Sequence, residues 1–407
     1  MKLTFVTDVD AAKYDEFVTQ HPQCNLLQSS TWADVKAEWR STLTAVEDAD
    51  GNIVVAGLVL KRPLPLGYSF WYVPHGPIGD YENVPVMQAY LRGLGNYAKK
   101  SRAIAVRIDP PVPVKQGVRE DFPQEYGPEA TALRESIEAA GFRHRGFFTG
   151  LHQTLQPRFM TAMLRPDDAS DILKTMPRRT RDFYKRARQR QADVYRGTID
   201  DLDKFLSVIH ATEEEKDITL RPRAYYERIM NAYGDDAVLI LSNLDIKNAI
   251  EEYTTQIADL AEQLEATDEN AKNKRRQLTD QIKSRKKRLQ EMEERHEIDG
   301  DEVTLAGCLS VSYGRGFEML YAGTNRDYGT ITAQDLVWVE TLQHAFDGGA
   351  DYVSLGGVDG SLEDSLLEFK SRFNAVIFEK IGEFDLVVNK PIYAAFDWYM
   401  KRKSNET

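Results

Sequence analysis

Cysteine is scarce. Cys24 and Cys308 are the only two in 407 residues and stand far apart, which excludes a disulfide framework and a cysteine zinc site. The seven histidines form neither an H-x-x-x-H nor an H-E-x-x-H pattern, so no zinc-hydrolase signature is present and no metal is expected. No apolar run approaches the ~18–20 residues of a membrane span. The opening MKLTFVTDVD puts Asp8 and Asp10 where a secretory signal needs an apolar stretch, so a cytoplasmic chain is expected. Basic charge is in deficit: 52 Lys and Arg face 64 Asp and Glu, for a formal charge of −12. A protein that coats nucleic acid over its whole surface is thereby excluded, and any such contact must use a local patch. What the chain does have is apolar material. Hydrophobic residues make up 42% and aromatics 10%, enough for a sizeable core. At roughly 150 residues per domain, the length suggests two or three domains.

Strand-like and helix-like segments alternate through residues 1–160. LTFVTD and NIVVAGLVLKRPL read as strands, the second preceded by the turn DADGN. Met87, Leu91, Leu94 and Ala98 recur at helical steps in VPVMQAYLRGLGNYAKKSR. AIAVRI reads as a buried strand stopped by Asp109, Pro110 and Pro111, and EATALRESIEAAGF as a helix ended at Gly141. The second half repeats this grammar. A basic helix and the strand AVLILSNL come first. TLAGCLSVSYGRGFEMLYAGTN follows as a hairpin turning at Tyr313–Gly316, then the helix TAQDLVWVETLQHAFDGGA, the strand DYVSLGGV and the helix LEDSLLEFKSRFN. A pair of related α/β (α+β) domains is expected, residues 1–160 and residues 161–245 with 300–400.

Residues 246–299 interrupt the second domain. Ile250, Tyr253, Ile257, Leu260 and Leu264 keep steps of three and four, and Leu278, Ile282, Leu289 and Met292 hold the same phase with Arg285 in the missing slot. The polar ATDENAKN between them can turn. The segment reads as an antiparallel coiled-coil arm of two helices, each ~20 residues or about 30 Å long. Its charge is uneven: residues 272–288 carry nine basic side chains against Asp280 alone. A second tract, 178–190, holds seven basic residues and one acid, with Arg178, Arg181, Lys185 and Arg188 forming a stripe at helical steps. Such stripes neutralise phosphates; a solvated coiled-coil face is the plainer alternative for the arm.

The stretch from Tyr321 to Leu355 has the order of an acyltransferase core: a strand, the turn YAGTNRDYGT, a helix, and DYVSLGG as a second strand. In N-acetyltransferases of the GNAT fold this turn reads Gln or Arg, two variable residues, Gly, one variable residue, then Gly or Ala. Its amides cradle the coenzyme A pyrophosphate. Arg326, Gly329 and Thr330 match, but Ile331 takes the sixth position, where a β-branched side chain crowds a phosphate. A GNAT-like scaffold with another acyl donor is therefore expected.

LLQSSTWADVKAEW, YVPHGPIGDY, VRIDPPV, PRRTRDFYKRARQR, LRPRAYYERI, YAGTNRDYGTITAQDLVWVETLQHAFDGGADYVSLGGV and LLEFKSRFN together carry a resemblance. Over most of its length the chain resembles the FemABX peptidyltransferases, which attach amino acids from aminoacyl-tRNA to the peptide stem of bacterial cell-wall precursors. The resemblance implies two GNAT-like domains and a helical arm similar to the tRNA-holding coiled coil of seryl-tRNA synthetase. It implies aminoacyl-tRNA and a UDP-linked or lipid-linked muropeptide as partners, with peripheral membrane contact through a lipid-linked substrate, and no cofactor. By the same resemblance Lys36 and Arg221, with Tyr225 assisting, contact the precursor diphosphate, Arg223 being the alternative to Arg221 two residues on. Tyr321 lines the acceptor site, Lys370 lies near the reaction centre and Asp109 is a candidate base. Arg178, Arg181, Lys185, Lys274, Arg275 and Lys286 are the candidate tRNA contacts. His75 is expected to pack in an aromatic loop, with reach to an anionic group as the alternative. Two rival functions remain at this point, an acyl-coenzyme A-dependent N-acyltransferase and a non-catalytic tRNA-binding protein.

Overall fold

The computed structural model describes residues 2–216 and 221–404. It contains two eight-stranded mixed sheets. The first runs in space from Thr4–Thr7 through Arg40–Glu47, Ile53–Pro63, Ser69–Val73, Ala103–Ile108 and Phe384–Val387 to Arg143–His144, with Ile78–Gly79 beside Ile53–Pro63. The second runs through Asp193–Gly197, Ala237–Asp245, Glu302–Tyr313, Gly316–Thr324, Tyr352–Val358, Phe159–Leu164 and Val376–Lys380 to Pro113–Gly117.

Each sheet has one parallel pair. Ser69–Val73 lies parallel to Ala103–Ile108, and Gly316–Thr324 to Tyr352–Val358; the other paired strands are antiparallel. A parallel pair needs a crossover, and the helices Val84–Lys100 and Ala333–Asp347 supply one in each half. Both halves thus repeat an antiparallel run, a crossover helix and a parallel return. These are the two expected GNAT-like domains. Val84–Lys100 buries Met87, Tyr90, Leu91, Leu94 and Ala98, the face that its spacing predicts. Gly57 permits that packing, because a Cβ there would come within 1.9 Å of the Tyr90 hydroxyl. Ala333–Asp347 is buried on most sides, between the sheet and the basic helix Arg178–Gln189.

The arm is the connection between two neighbouring antiparallel strands, Ala237–Asp245 and Glu302–Tyr313. Its helices are Ile246–Glu265 and Lys272–Asp299, of 20 and 28 residues, so the second is longer than expected. Tyr253 and Leu278 are buried, and Ile250, Leu289 and Met292 pack against the main core of the second domain. The root of the arm is therefore part of that core. No described helix is long and apolar enough to cross a membrane.

Strand membership departs from the expected division at residue 160. Pro113–Gly117 pairs with Val376–Lys380 in the second sheet, while Phe384–Val387 returns to pair with Ala103–Ile108 in the first. These edge strands are short, and their partners are distant in sequence, so no local pattern announces them.

Buried charge accompanies the exchange. Arg107 lies within a fully buried strand and donates to Asp385 from Nε at 2.7 Å and Nη2 at 2.8 Å. Arg145 donates to the same carboxylate at 2.7 Å, and Glu383 stands 3.4 Å from Arg107 and 3.2 Å from Arg145. Removing one member leaves a guanidinium buried without its full complement, which costs about 3–5 kcal/mol. Asp385→Ala should lower the free energy of unfolding by that amount in a urea titration. A loss under about 1 kcal/mol would show that the network is worth no more than a surface pair.

Candidate functional site

In each domain the chemistry gathers where the parallel pair ends. In the first domain the chain leaves Val73 and Ile108 to place His75 and Asp109 side by side. Asp109 accepts the His75 backbone N–H on Oδ1 and faces its ring Nδ1 at 2.8 Å with Oδ2. The Lys380 Nζ lies 3.0 Å from Nε2 of the same ring. His75 is buried, and burial together with the nearby Lys380 pushes its imidazole below the ordinary value. Burial pushes the Lys380 amine down to about 8 even though Asp109 and Glu318 favour its charge.

In the second domain the parallel strands touch only from Gly316 to Glu318, opposite Tyr352 to Ser354, and then separate. Glu318 stands at the apex of that wedge. Burial raises its carboxyl, opposed by a hydrogen bond with Ser354 and by Lys380. The two domain ends face each other across a cavity of about 280 Å³ whose walls include Glu318, His75, Lys380, Tyr352 and the turn from Pro22 to Asn25.

A second cluster lies along the same strand. Trp32–Val35 is a single helical turn, and Lys36 follows it. The Lys36 Nζ lies 5.0 Å from the ring centres of both Trp32 and Tyr225 and donates to the Tyr225 hydroxyl at 2.9 Å. The Arg221 guanidinium sits 5.4 Å over the Tyr225 ring, and Tyr321 meets Tyr225 edge-on at 6.1 Å. Burial, and then repulsion from Arg221, pushes the Lys36 amine down to about 8. This is a partly desolvated cation seat. Glu318 and Tyr321 are three residues apart, about 10 Å along a strand. The pairing slips opposite Leu309 and Ser310, and Leu320 and Tyr321 both pack against the interdomain cluster.

The structure thus brings Lys36, Arg221, Tyr225 and Tyr321 together. Two expected residues stand elsewhere. Asp109 does not line the cavity; it holds the His75 backbone N–H on Oδ1 and faces Nδ1 with Oδ2, so as placed it orients that ring. Lys370 is 4% exposed and donates from Nζ to the Gly357 carbonyl at 2.7 Å, on the other limb of the wedge. Gly356, beside it, has φ +84°, a conformation that favours glycine. Sequence reasoning missed Glu318 and Lys380 and weighed His75 only as a packing residue or one reaching an anionic group. A carboxylate inside GFEML was a usable signal; nothing local marked Lys380.

The basic tracts divide. Arg178, Lys185, Lys274 and Lys286 are exposed. Arg181 instead donates to the Met176 carbonyl at 2.7 Å, and Arg275 to the Leu264 and Thr267 carbonyls at 2.9 and 2.7 Å, closing the turn of the arm. In each of these two guanidiniums Nη1 is committed to backbone carbonyls. At the root of the arm, Lys185, Arg186 and Arg190 meet Arg288 in a cleft of about 330 Å³, so both tracts face one place. Over the turn Arg326–Ile331 lies the end of the arm, with Tyr328 bonded to Asp299 at 2.6 Å and Arg295 to Asp327 at 3.0 Å. Ile331 is packed into the core, so the loop is tied to the arm and differs from an open phosphate cradle. Among the described residues no group of three His, Cys, Asp or Glu side chains is placed to hold a metal ion.

The model of the FemAB family matches residues 9–401. The chain belongs to the FemAB family. It is 31% identical over 399 residues to a lipid II:glycine glycyltransferase of Staphylococcus epidermidis, covering 94% of this chain and 92% of that protein. A protein of the same name from Staphylococcus aureus is 30% identical over 407 residues, with the same coverage. The crystal structure of FemX superposes with a TM-score of 0.77 at 26% identity, covering 97% of this chain and 99% of FemX. In this FemAB member the two part-buried lysines with depressed amines, Lys36 and Lys380, provide a direct check. With lysine ¹³C-labelled protein, two side-chain signals should titrate near pH 8, one lost in Lys36→Arg and the other in Lys380→Arg. Titration of both near the ordinary value of about 10.4 would show that neither amine is desolvated.

Proposed function

We propose that this chain is an aminoacyltransferase of interpeptide-bridge synthesis. It moves an amino acid from aminoacyl-tRNA to the amine of the stem peptide of a peptidoglycan precursor, UDP-linked or lipid-linked. The observation that carries this reading is the convergence of Lys36, Arg221, Tyr225 and Tyr321 beside the interdomain cavity. It occurs in a chain whose relatives over 92% of their own length are named lipid II:glycine glycyltransferases.

The chemistry asks little of the protein. An aminoacyl ester is already activated, so amine attack on the carbonyl and release of the ribose hydroxyl need no ATP. Positioning and charge stabilisation suffice. Lys36 and Arg221 take the precursor diphosphate, the first as a point charge and the second as a planar fork. Lys380 on the cavity wall is the cation nearest to hand for the developing oxyanion, with Lys370 held on the wedge limb by the Gly357 carbonyl. The cleft of Lys185, Arg186, Arg190 and Arg288 takes phosphates of the tRNA. The clamped Arg326–Ile331 turn counts against the acyl-coenzyme A alternative.

The test is a transfer assay with purified precursor and tRNAs charged with glycine, alanine or serine. Lys36→Ala and Arg221→Ala should each raise the KM for precursor by about tenfold or more, the worth of a charge-assisted contact. Unchanged precursor binding in both would refute the diphosphate assignment. Lys36 is cationic below about pH 8, so kcat/KM for precursor should fall as pH rises through that value. Lys36→Arg should abolish the fall. Arg186→Glu with Arg288→Glu should weaken tRNA binding and flatten its salt dependence; an unaltered salt slope would place the tRNA elsewhere.

A further inference from the structure

The C-terminal helix, Lys390–Ser404, is apolar on two sides. Its inner side, Ile392, Tyr393 and Phe396, packs with Leu64 and Tyr68 on a small cluster of the first sheet, where Phe396 stacks on Phe70 at 4.9 Å. Its outer side, Pro391, Ala394, Ala395 and Trp398, forms a second stripe at helical steps, and all four are exposed, Trp398 by 63%. The solvent face of a helix packed on a core is ordinarily polar. The neighbouring hairpin tip has the same character. Residues 64–68 join Ile53–Pro63 to Ser69–Val73 without one charged side chain. Leu66 stands at the apex with φ +59°, where turns usually place glycine or asparagine, and is 84% exposed. Leu64 and Tyr68, on either side of it, share the cluster under Phe396, so the tip adjoins the helix.

Charge around these apolar groups is of one sign. The segments that meet here, residues 60–71, 99–106 and 386–398, carry Lys61, Arg62, Lys99, Lys100, Arg102 and Lys390 against Asp397 alone. Asp397 is itself paired with Arg145 at 3.4 Å. Lys401, Arg402 and Lys403 follow in the sequence. The whole chain has a formal charge of −12, so this excess of base is local. Arg102 lies 4.8 Å over the Tyr68 ring, beside the tip. Exposed tryptophan and leucine bordered by lysine and arginine match the boundary of a bilayer with anionic headgroups, where an amphipathic ring has one side in lipid and the other in water. Trp39 ties this region to the cation seat. Its side chain packs against both this cluster and the interdomain one, and its backbone N–H donates to the Lys36 carbonyl at 2.8 Å. An apolar track thus runs from beside Lys36 to the C-terminal helix.

We propose that Leu66 and the outer side of the C-terminal helix, with Trp398 as its anchor, form a docking face for an anionic membrane surface. The helix lies in the plane of the bilayer boundary, and the basic residues around it face the headgroups. Docking itself is independent of the transferase reading. Its consequence rests on that reading: a lipid-linked precursor held by its diphosphate at Lys36 and Arg221 has an apolar track past Trp39 along which its tail leads back toward the bilayer. The face then favours lipid-linked over soluble precursor.

Co-sedimentation of the full chain with vesicles tests the docking. The native protein should bind phosphatidylcholine vesicles containing about one-third phosphatidylglycerol, bind pure phosphatidylcholine more weakly, and lose the difference as salt is raised. Leu66→Ser with Trp398→Ser, both at exposed positions, should cut the partition coefficient by roughly tenfold or more at an unchanged melting temperature. Lys99→Glu with Arg102→Glu should erase the preference for the anionic vesicles. No binding to either vesicle, or binding that the Leu66–Trp398 double variant keeps in full, overturns the proposal. If that variant instead loses only a self-association seen for the native chain by sedimentation velocity, the face joins two copies of the chain and the membrane assignment falls. In the transfer assay the same variant should lose turnover of vesicle-borne lipid-linked precursor and keep that of UDP-linked precursor; equal loss on both overturns the favouring of lipid-linked precursor. Native vesicle binding with no transfer to either precursor would refute the transferase reading and leave the docking face standing.

Discussion

Charge taken out of water at the seam between the two sheets is the constraint on which the rest depends. Val376–Lys380 lies in the second sheet and Phe384–Val387 in the first, so one short stretch stitches the domains together. Its ionisable side chains all turn inward: Glu379 to Arg158 at 2.6 Å, Asp385 to Arg107 at 2.7 Å, and Lys380 to the His75 ring. Ion pairs at such depth do not add much net stability, but they punish every alternative docking, because a shifted seam would strand a charge. The stitch therefore fixes the angle between the domains and, with Lys380, delivers an amine to the interdomain cavity from the far end of the chain.

That rigidity is what makes the cation seat useful. Lys36 comes from the first domain and Arg221, Tyr225 and Tyr321 from the second, so the seat exists only while the seam holds. Aromatic faces support the two cations without neutralising them. On the same strand, three residues before Tyr321, Glu318 sets a carboxyl on the wall of the neighbouring cavity.

The arm follows a different logic. Its root is core, with Tyr253 buried, and its outer length is solvated. The root also clamps the Arg326–Ile331 turn. The element that would hold a nucleotide pyrophosphate in an acyl-coenzyme A enzyme is here a foundation for the arm, while basic side chains gather in the cleft beside it.

By itself the sequence determined the element order, the repeated grammar of two domains, and the arm with its heptad phase. These are local periodicities, set by which face of a helix or strand can be buried. Resemblance marked Lys36, Arg221, Tyr225 and Tyr321 as a group. Tertiary structure alone decided the exchange of edge strands, the withdrawal of Asp109 behind His75, the use of Arg181 and Arg275 as carbonyl caps, and the meeting of Glu318 with Lys380. Each of these depends on pairing between segments hundreds of residues apart or on where one guanidinium turns. Hydrophobic period carries no record of either, because register and side-chain direction are settled only when distant strands close against each other.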